Sequence, residues 1–163
     1  GLEPSCLLTL RDEIPALFPG KDADLLAQHA RMLEEYIADQ ADNETFFLPL
    51  KSPAPKVLVH GHCHQKAMGV MSSVEQTLSL LPDTEIEMVD TSCCGMAGAF
   101  GYGIETHEVS RKMAEADLAP AVRNAEATTL IVADGTSCRH QVADTTERKP
   151  IHVARLLEKA LLK

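Results

Sequence analysis

Lys56-Val57-Leu58-Val59-His60-Gly61-His62-Cys63-His64 sets a short apolar run directly against a glycine, three histidines and a cysteine. Two more segments follow the same plan. Glu85-Ile86-Glu87-Met88-Val89 leads to Cys93-Cys94-Gly95, and Thr129-Leu130-Ile131-Val132-Ala133 leads to Cys138. Runs of this length, rich in Val and Ile, predict strands. If the three lie parallel in one sheet, their carboxyl ends converge at the edge where open α/β sheets bind ligands. The thiols of Cys63, Cys93, Cys94 and Cys138 would then meet from three places in the chain. That is a metal or cluster site in outline.

Helical patterns fill the intervals. Ala67, Met71, Val74, Leu78 and Leu81 step by 4, 3, 4 and 3, which predicts a one-faced helix after Cys63, closed by Pro82-Asp83. Ile104 to Ala119 reads as helix, with Pro120 forcing a kink or a fresh start. Val153, Leu156, Leu157, Ala160 and Leu161 make a last amphipathic helix. Upstream, Leu25, Leu26, His29, Met32, Leu33, Tyr36 and Ile37 recur at helical spacing, with Asp22 or Asp24 to cap the start. Asn43 to Pro55, with three prolines, reads as a connecting loop. The alternation predicts an α/β fold, a parallel sheet of βα units with right-handed crossovers and flanking helices.

The bulk properties narrow the function. At 163 residues the chain fits one domain with a core that needs no disulfide staples. Only 4% of residues are aromatic and none is Trp, so Leu, Val, Ile, Ala and Met must build that core. A net charge of −9 argues against nucleic acid or anionic lipid as partner. No apolar run approaches the ~20 residues a bilayer span requires, and no signal peptide opens the sequence. Five cysteines, an odd number gathered in motifs, point to liganding thiols in a reducing, cytoplasmic compartment.

Thiolates bind iron–sulfur clusters and zinc, and a cysteine that opens a helix is favoured as thiolate by free N–H groups. Cys93 and Cys94 strain any disulfide between them, yet they can offer two sulfurs to neighbouring metal ions. Gly95, Ala97, Gly98 and Ala99 let backbone approach a bulky inorganic core. Of the histidines, zero or one is expected as a ligand. His64, opening the helix, is the best candidate to orient a sulfur, with His140 a weaker one. His29 and His107 read as structural. The glycine run from Gly95 to Gly103 is not G-x-G-x-x-G, which argues against a dinucleotide. A Cys-His hydrolase built on Cys63 or Cys94 would leave the other cysteines unexplained. Finally, Gly1-Leu2-Glu3-Pro4-Ser5-Cys6 matches Ala133-Asp134-Gly135-Thr136-Ser137-Cys138 in outline. Residues 1–50 are therefore expected to be the tail of a preceding repeat plus a connecting helix, and 51–163 a complete βα repeat, in a chain cut from something longer.

Cys63-His64, Cys93-Cys94-Gly95 and Ser137-Cys138, each after a strand, resemble the cysteine-rich "CCG" domain. That domain occurs in the cysteine-rich subunit of heterodisulfide reductase, in iron–sulfur subunits of glycolate and anaerobic glycerol-3-phosphate oxidases, and at the C-termini of FAD-linked oxidases. HGHCHQKAM, TSCCGMAGAFGY and ADGTSC look most like the last group, flavin 2-hydroxyacid dehydrogenases (D-lactate or D-2-hydroxyglutarate type) with a ferredoxin-like segment. The resemblance implies an electron-transfer module holding an iron–sulfur cluster on Cys63, Cys93, Cys94 and Cys138. FAD would sit in another part of the parent chain, alongside the flavin and ferredoxin-like domains as partners. Electrons would pass to a quinone or another acceptor. The heterodisulfide reductase motif ends Cys-x-x-Cys, whereas position 141 here is Gln, so one of five expected ligands is missing. Cys6 could supply it if the half-repeats pack together. The alternatives are a structural or docking domain with zinc or an empty site, and a vicinal-thiol sensor at Cys93 and Cys94.

Overall fold

The computed structural model describes residues 1–43 and 46–162. In chain order the elements are α1 (Pro4–Thr9), α2 (Glu13–Leu17), α3 (Lys21–His29), α4 (Leu33–Ala41), β1 (Lys56–His60), α5 (Cys63–Ala67), α6 (Met71–Leu78) and β2 (Glu85–Met88). A short 3-10 turn, Phe100–Tyr102, precedes α7 (His107–Ala116), α8 (Leu118–Asn124), β3 (Leu130–Ala133), α9 (Thr136–Thr145) and α10 (Val153–Ala160). The chain is α/β, and its sheet is parallel throughout, in the order β2-β1-β3.

Register and charge agree at the start of the sheet. Lys56 pairs with Glu85 across the β1–β2 ladder, and its ammonium reaches Glu85 at 2.7 Å and Glu87 at 2.6 Å. On the other side, β1 pairs with β3 from Val57–Leu130 to His60–Ala133. Ile151 extends that edge, accepting from Ala133 N–H and donating to the Ile131 carbonyl.

The two-residue period of the strands sorts the core into two layers. Val57, Val59 and Val132 pack against α6 and α10 through Val74, Leu78, Val153, Leu156 and Ala160. Leu58, Ile131 and Ala133 face the other way, onto Leu118, Val122 and Val142 of α8 and α9, with Met96, Cys94 and Cys138 in the same cluster. The cysteines thus close the second layer at its carboxyl-end rim. The strand order doubles back at β1, which makes the β1 and β3 exits the switch point of the sheet.

Three helical stretches break where the periodicity alone runs on. The apolar stripe from Leu25 to Ile37 is divided between α3 and α4, because Ala30 and Met32 are extended. Glu35 accepts from Met32 N–H at 2.9 Å, and Gly1 accepts from Leu33 N–H at 2.9 Å, which supplies partners for a new helix start. The stripe after Cys63 splits into α5 and α6 at Gly69, whose φ of 70° ends the first helix. Helix Ile104–Ala119 instead becomes α7 and α8, interrupted at Asp117. Pro120 falls in the first turn of α8, where a missing N–H costs nothing. Helices form within each stretch, although Leu25, Leu26 and Tyr36 stay exposed, and capping and backbone conformation decide the breaks. The loop expected over 43–55 carries no helix over 46–55, and residues 44 and 45 lie outside the described residues.

Candidate metal centre

At the end of β1 the strand stops at His60, and His62 becomes the cap of α5. The His62 Nδ1 accepts from His64 N–H, while Gln65 Oε1 accepts from His62 N–H at 3.0 Å. This places Cys63 in the first turn of α5. The side-chain amide of Gln65 donates to Asp134 Oδ2 at 2.8 Å, tying the β1 exit to the β3 exit. Cys138 stands in the first turn of α9. The start of that helix is held by a residue far away in sequence: Glu3 Oε2 accepts from Thr136 N–H at 3.0 Å and from its hydroxyl at 2.8 Å. Burial works against ionising Glu3, but these bonds and one from Ser5 hold its carboxyl below the usual range. Gly135 precedes α9 because nothing larger fits, since a Cβ there would run into the His62 ring.

The double cysteine hangs on the loop after β2. Lys66 clamps that loop, donating to the carbonyls of Thr91 and Ser92 and to the Thr91 hydroxyl. Gly95 has φ 89° and donates its N–H to Cys93 Sγ at 3.3 Å, and a Cβ at Gly95 would strike the Ser110 carbonyl. Only glycine combines that backbone angle with that approach. Gln141, at the position where a fifth cysteine would stand, is buried and spends its amide N–H groups on the Cys94 carbonyl (2.8 Å) and on Ser110 (2.9 and 3.0 Å).

These exits bring Cys63, Cys93, Cys94 and Cys138 into one electrostatically coupled group. Cys94 and Cys138 are buried, while Cys63 and Cys93 are half-buried. The Cys138 thiol donates to the Cys94 sulfur, which holds Cys94 down to about 4 despite burial. The same bond, with burial, pushes the Cys138 thiol well up, so Cys94 is the sulfur of the pair favoured as thiolate. Burial also raises the Cys93 thiol. A ring nitrogen of His60, Cys94 Sγ and Cys138 Sγ lie within 4.8 Å of one another. His60 reaches them because it shares the inward face of β1 with Leu58. Its Nδ1 meets the Thr91 hydroxyl at 2.9 Å, and its Nε2 is buried with no hydrogen-bond partner among the described residues.

An imidazole beside two sulfurs, one of them favoured as thiolate by Cys138 and His60, fits a group with soft-ligand preference, the donor set of zinc and iron–sulfur centres. The other expected residues stand apart. Cys6 is exposed on α1, and no described interaction joins it to the four thiols. His64 packs edge-on against His62, with ring centroids 5.2 Å apart, rather than against sulfur. His140 meets the hydroxyl of Tyr102. Sequence reasoning left His60 among histidines of which at most one was expected to be a ligand, and it gave no role to Lys66, Glu3 or the Gln141 amide. Strand alternation from Leu58 could have found His60; nothing local marks the others.

No family model matches the chain. It is similar to one of the subunits of anaerobic glycerol-3-phosphate dehydrogenase from Escherichia coli K12, 31% identical over 159 residues. That match covers 96% of this chain and 39% of the relative. It is also similar to D-2-hydroxyglutarate dehydrogenase of Pseudomonas putida, 29% identical over 157 residues, covering 93% of the chain and 14% of the relative. The D-2-hydroxyglutarate dehydrogenase of Haemophilus influenzae is 25% identical over 148 residues, with 87% and 14% covered. No solved structure matches. The chain is thus similar to part of two kinds of oxidoreductase and carries a cysteine group fit for a metal.

Proposed function

We propose that this chain is an iron–sulfur electron-transfer domain of a larger oxidoreductase, with Cys63, Cys93, Cys94 and Cys138 as the ligands. The convergence of four thiols from three strand exits carries the reading. A cluster held there supplies one-electron chemistry. The protein's own contribution is to exclude water from Cys94 and Cys138, to aim backbone N–H groups such as Gly95 at sulfur, and to hold the loops at fixed separation. Similarity to the two kinds of dehydrogenase favours a parent chain with FAD and a ferredoxin-like segment, oxidising a 2-hydroxyacid or glycerol-3-phosphate. Electrons would go on to a quinone or other acceptor, in a cytoplasmic setting. No described helix is long and apolar enough to cross a membrane. Residues 1–50 serve as the tail of a preceding repeat, with Cys6 at the position matching Cys138.

A zinc-bound docking domain is the second reading, favoured by the mixed His60, Cys94 and Cys138 donor set. Anaerobic purification with iron, acid-labile sulfide and zinc analysis separates the two. Iron and sulfide present together, and lost in Cys94→Ser or Cys138→Ser, are the expected outcome. One zinc per chain without sulfide overturns the redox reading.

A further inference from the structure

The His60 ring enters the thiol pocket from the end of β1, and two residues that are not thiols hold it from behind. The hydroxyl of Thr91, in the loop after β2, meets His60 Nδ1 at 2.9 Å, and both residues are buried. Lys66 of α5 donates to the carbonyls of Thr91 and Ser92, and to the Thr91 hydroxyl at 3.2 Å. An ammonium has three N–H donors and no lone pair, so Lys66 is fully occupied and accepts nothing. Gly61 leaves room for this reach, because a Cβ there would crowd Lys66 Cε and the Met71 side chain.

Counting protons then fixes the ring. The Thr91 hydroxyl carries one hydrogen and two lone pairs, and Lys66 engages one of the lone pairs. Its hydrogen has one acceptor among the described residues, His60 Nδ1. Nδ1 is therefore the bare nitrogen of a neutral ring, and the ring proton sits on Nε2. Nε2 is buried and has no partner of ordinary hydrogen-bond length among the described residues. A buried donor left facing nothing is costly. What lies close is sulfur: a ring nitrogen of His60 stands within 4.8 Å of both Cys94 Sγ and Cys138 Sγ. Cys94 is the sulfur favoured as thiolate, and His60 is one of the groups that favour it.

We propose that His60 is a positioning residue and not a ligand: Lys66 and Thr91 hold its ring with the proton on Nε2, and the ring directs that N–H at the Cys94 sulfur. The consequence for electron transfer rests on the reading of the four thiols as cluster ligands. Hydrogen bonds to ligand sulfur help to set a cluster's potential. Reduction adds negative charge, which an N–H aimed at sulfur offsets, so His60 makes the bound group easier to reduce. A metal ion held through Nε2 would need the opposite tautomer, and would leave the Thr91 hydrogen without its acceptor.

Long-range 1H–15N spectra of the full, reduced, metal-free protein read the tautomer directly, with the His60 signals assigned by their absence in His60→Gln. The expected result is a proton on Nε2 and a bare Nδ1, unchanged when Zn2+ is added. A proton on Nδ1 with Nε2 bare, or Nε2 bound to Zn2+, overturns the proposal. In iron-loaded protein, His60→Leu should move the reduction potential to more negative values. His60→Gln, which keeps an N–H at similar depth, should recover part of that shift. An unchanged potential in His60→Leu overturns the proposal, and so does loss of iron from a His60→Leu protein that is still folded by circular dichroism. Should either variant not fold, the wild-type spectra decide alone. Protein without iron or sulfide defeats the cluster reading and leaves the tautomer measurable, so the two failures are told apart.

Discussion

Gln141 shows how a single side chain can fix the loop of a candidate ligand without being one itself. Its amide is buried, and its N–H groups join the Cys94 carbonyl to α7 through Ser110. Truncating it leaves a buried carbonyl unpaired, at a cost of about 1–3 kcal/mol. Gln141→Ala should therefore lower the urea midpoint by that equivalent, and it should also speed metal loss to chelator, because the Cys94 loop is freed. A stability loss with unchanged metal release would mean that the amide braces α9 alone. His60 and Gly135 work at the same scale. One aims a ring at the sulfur pair, and the other lets the His62 ring pass under the start of α9.

Among the elements, α9 carries Cys138, and its N-terminus takes its cap from Glu3, 133 residues earlier. Losing a side-chain cap costs about 1 kcal/mol. Because Glu3 is held below its ordinary 4.5, its contribution is present above that pH and disappears as the pH falls through the folded value. Glu3→Ala should accordingly be less stable than wild type at pH 7, with the two denaturation midpoints converging in acid. Midpoints that stay apart even below the folded value of Glu3 would show that packing of α1, not the carboxylate, makes the contact. The broken helices follow the same logic, since Gly69, Asp117 and the extended pair Ala30 and Met32 decide where each apolar stripe stops.

Across the whole molecule, a group bound by the four cysteines would link the exits of all three strands, contacts no secondary structure supplies. A ligand binding only the folded state stabilises it by about 4 kcal/mol at a thousandfold excess over its dissociation constant. Anaerobic reconstitution should therefore raise the melting temperature by several degrees, and chelator should reverse the gain. Cys6→Ser should leave the gain intact, since Cys6 is exposed and apart from the pocket. Equal melting temperatures with and without metal would mean that the folded pocket takes up no metal, and would overturn the reading. Much of this molecule is local in origin. Three apolar runs each ending at cysteine, with helical stripes between them, suffice for a parallel α/β sheet and for thiols at its carboxyl edge, because period and chain connectivity are properties of neighbouring residues. Which partners complete the edge is not local. His60 on the sulfur pair, Gln141 under Cys94, Glu3 on α9 and Glu34 beside Asp134 and His152 depend on how layers pack, and packing joins residues whose separation in the chain carries no signal of their contact.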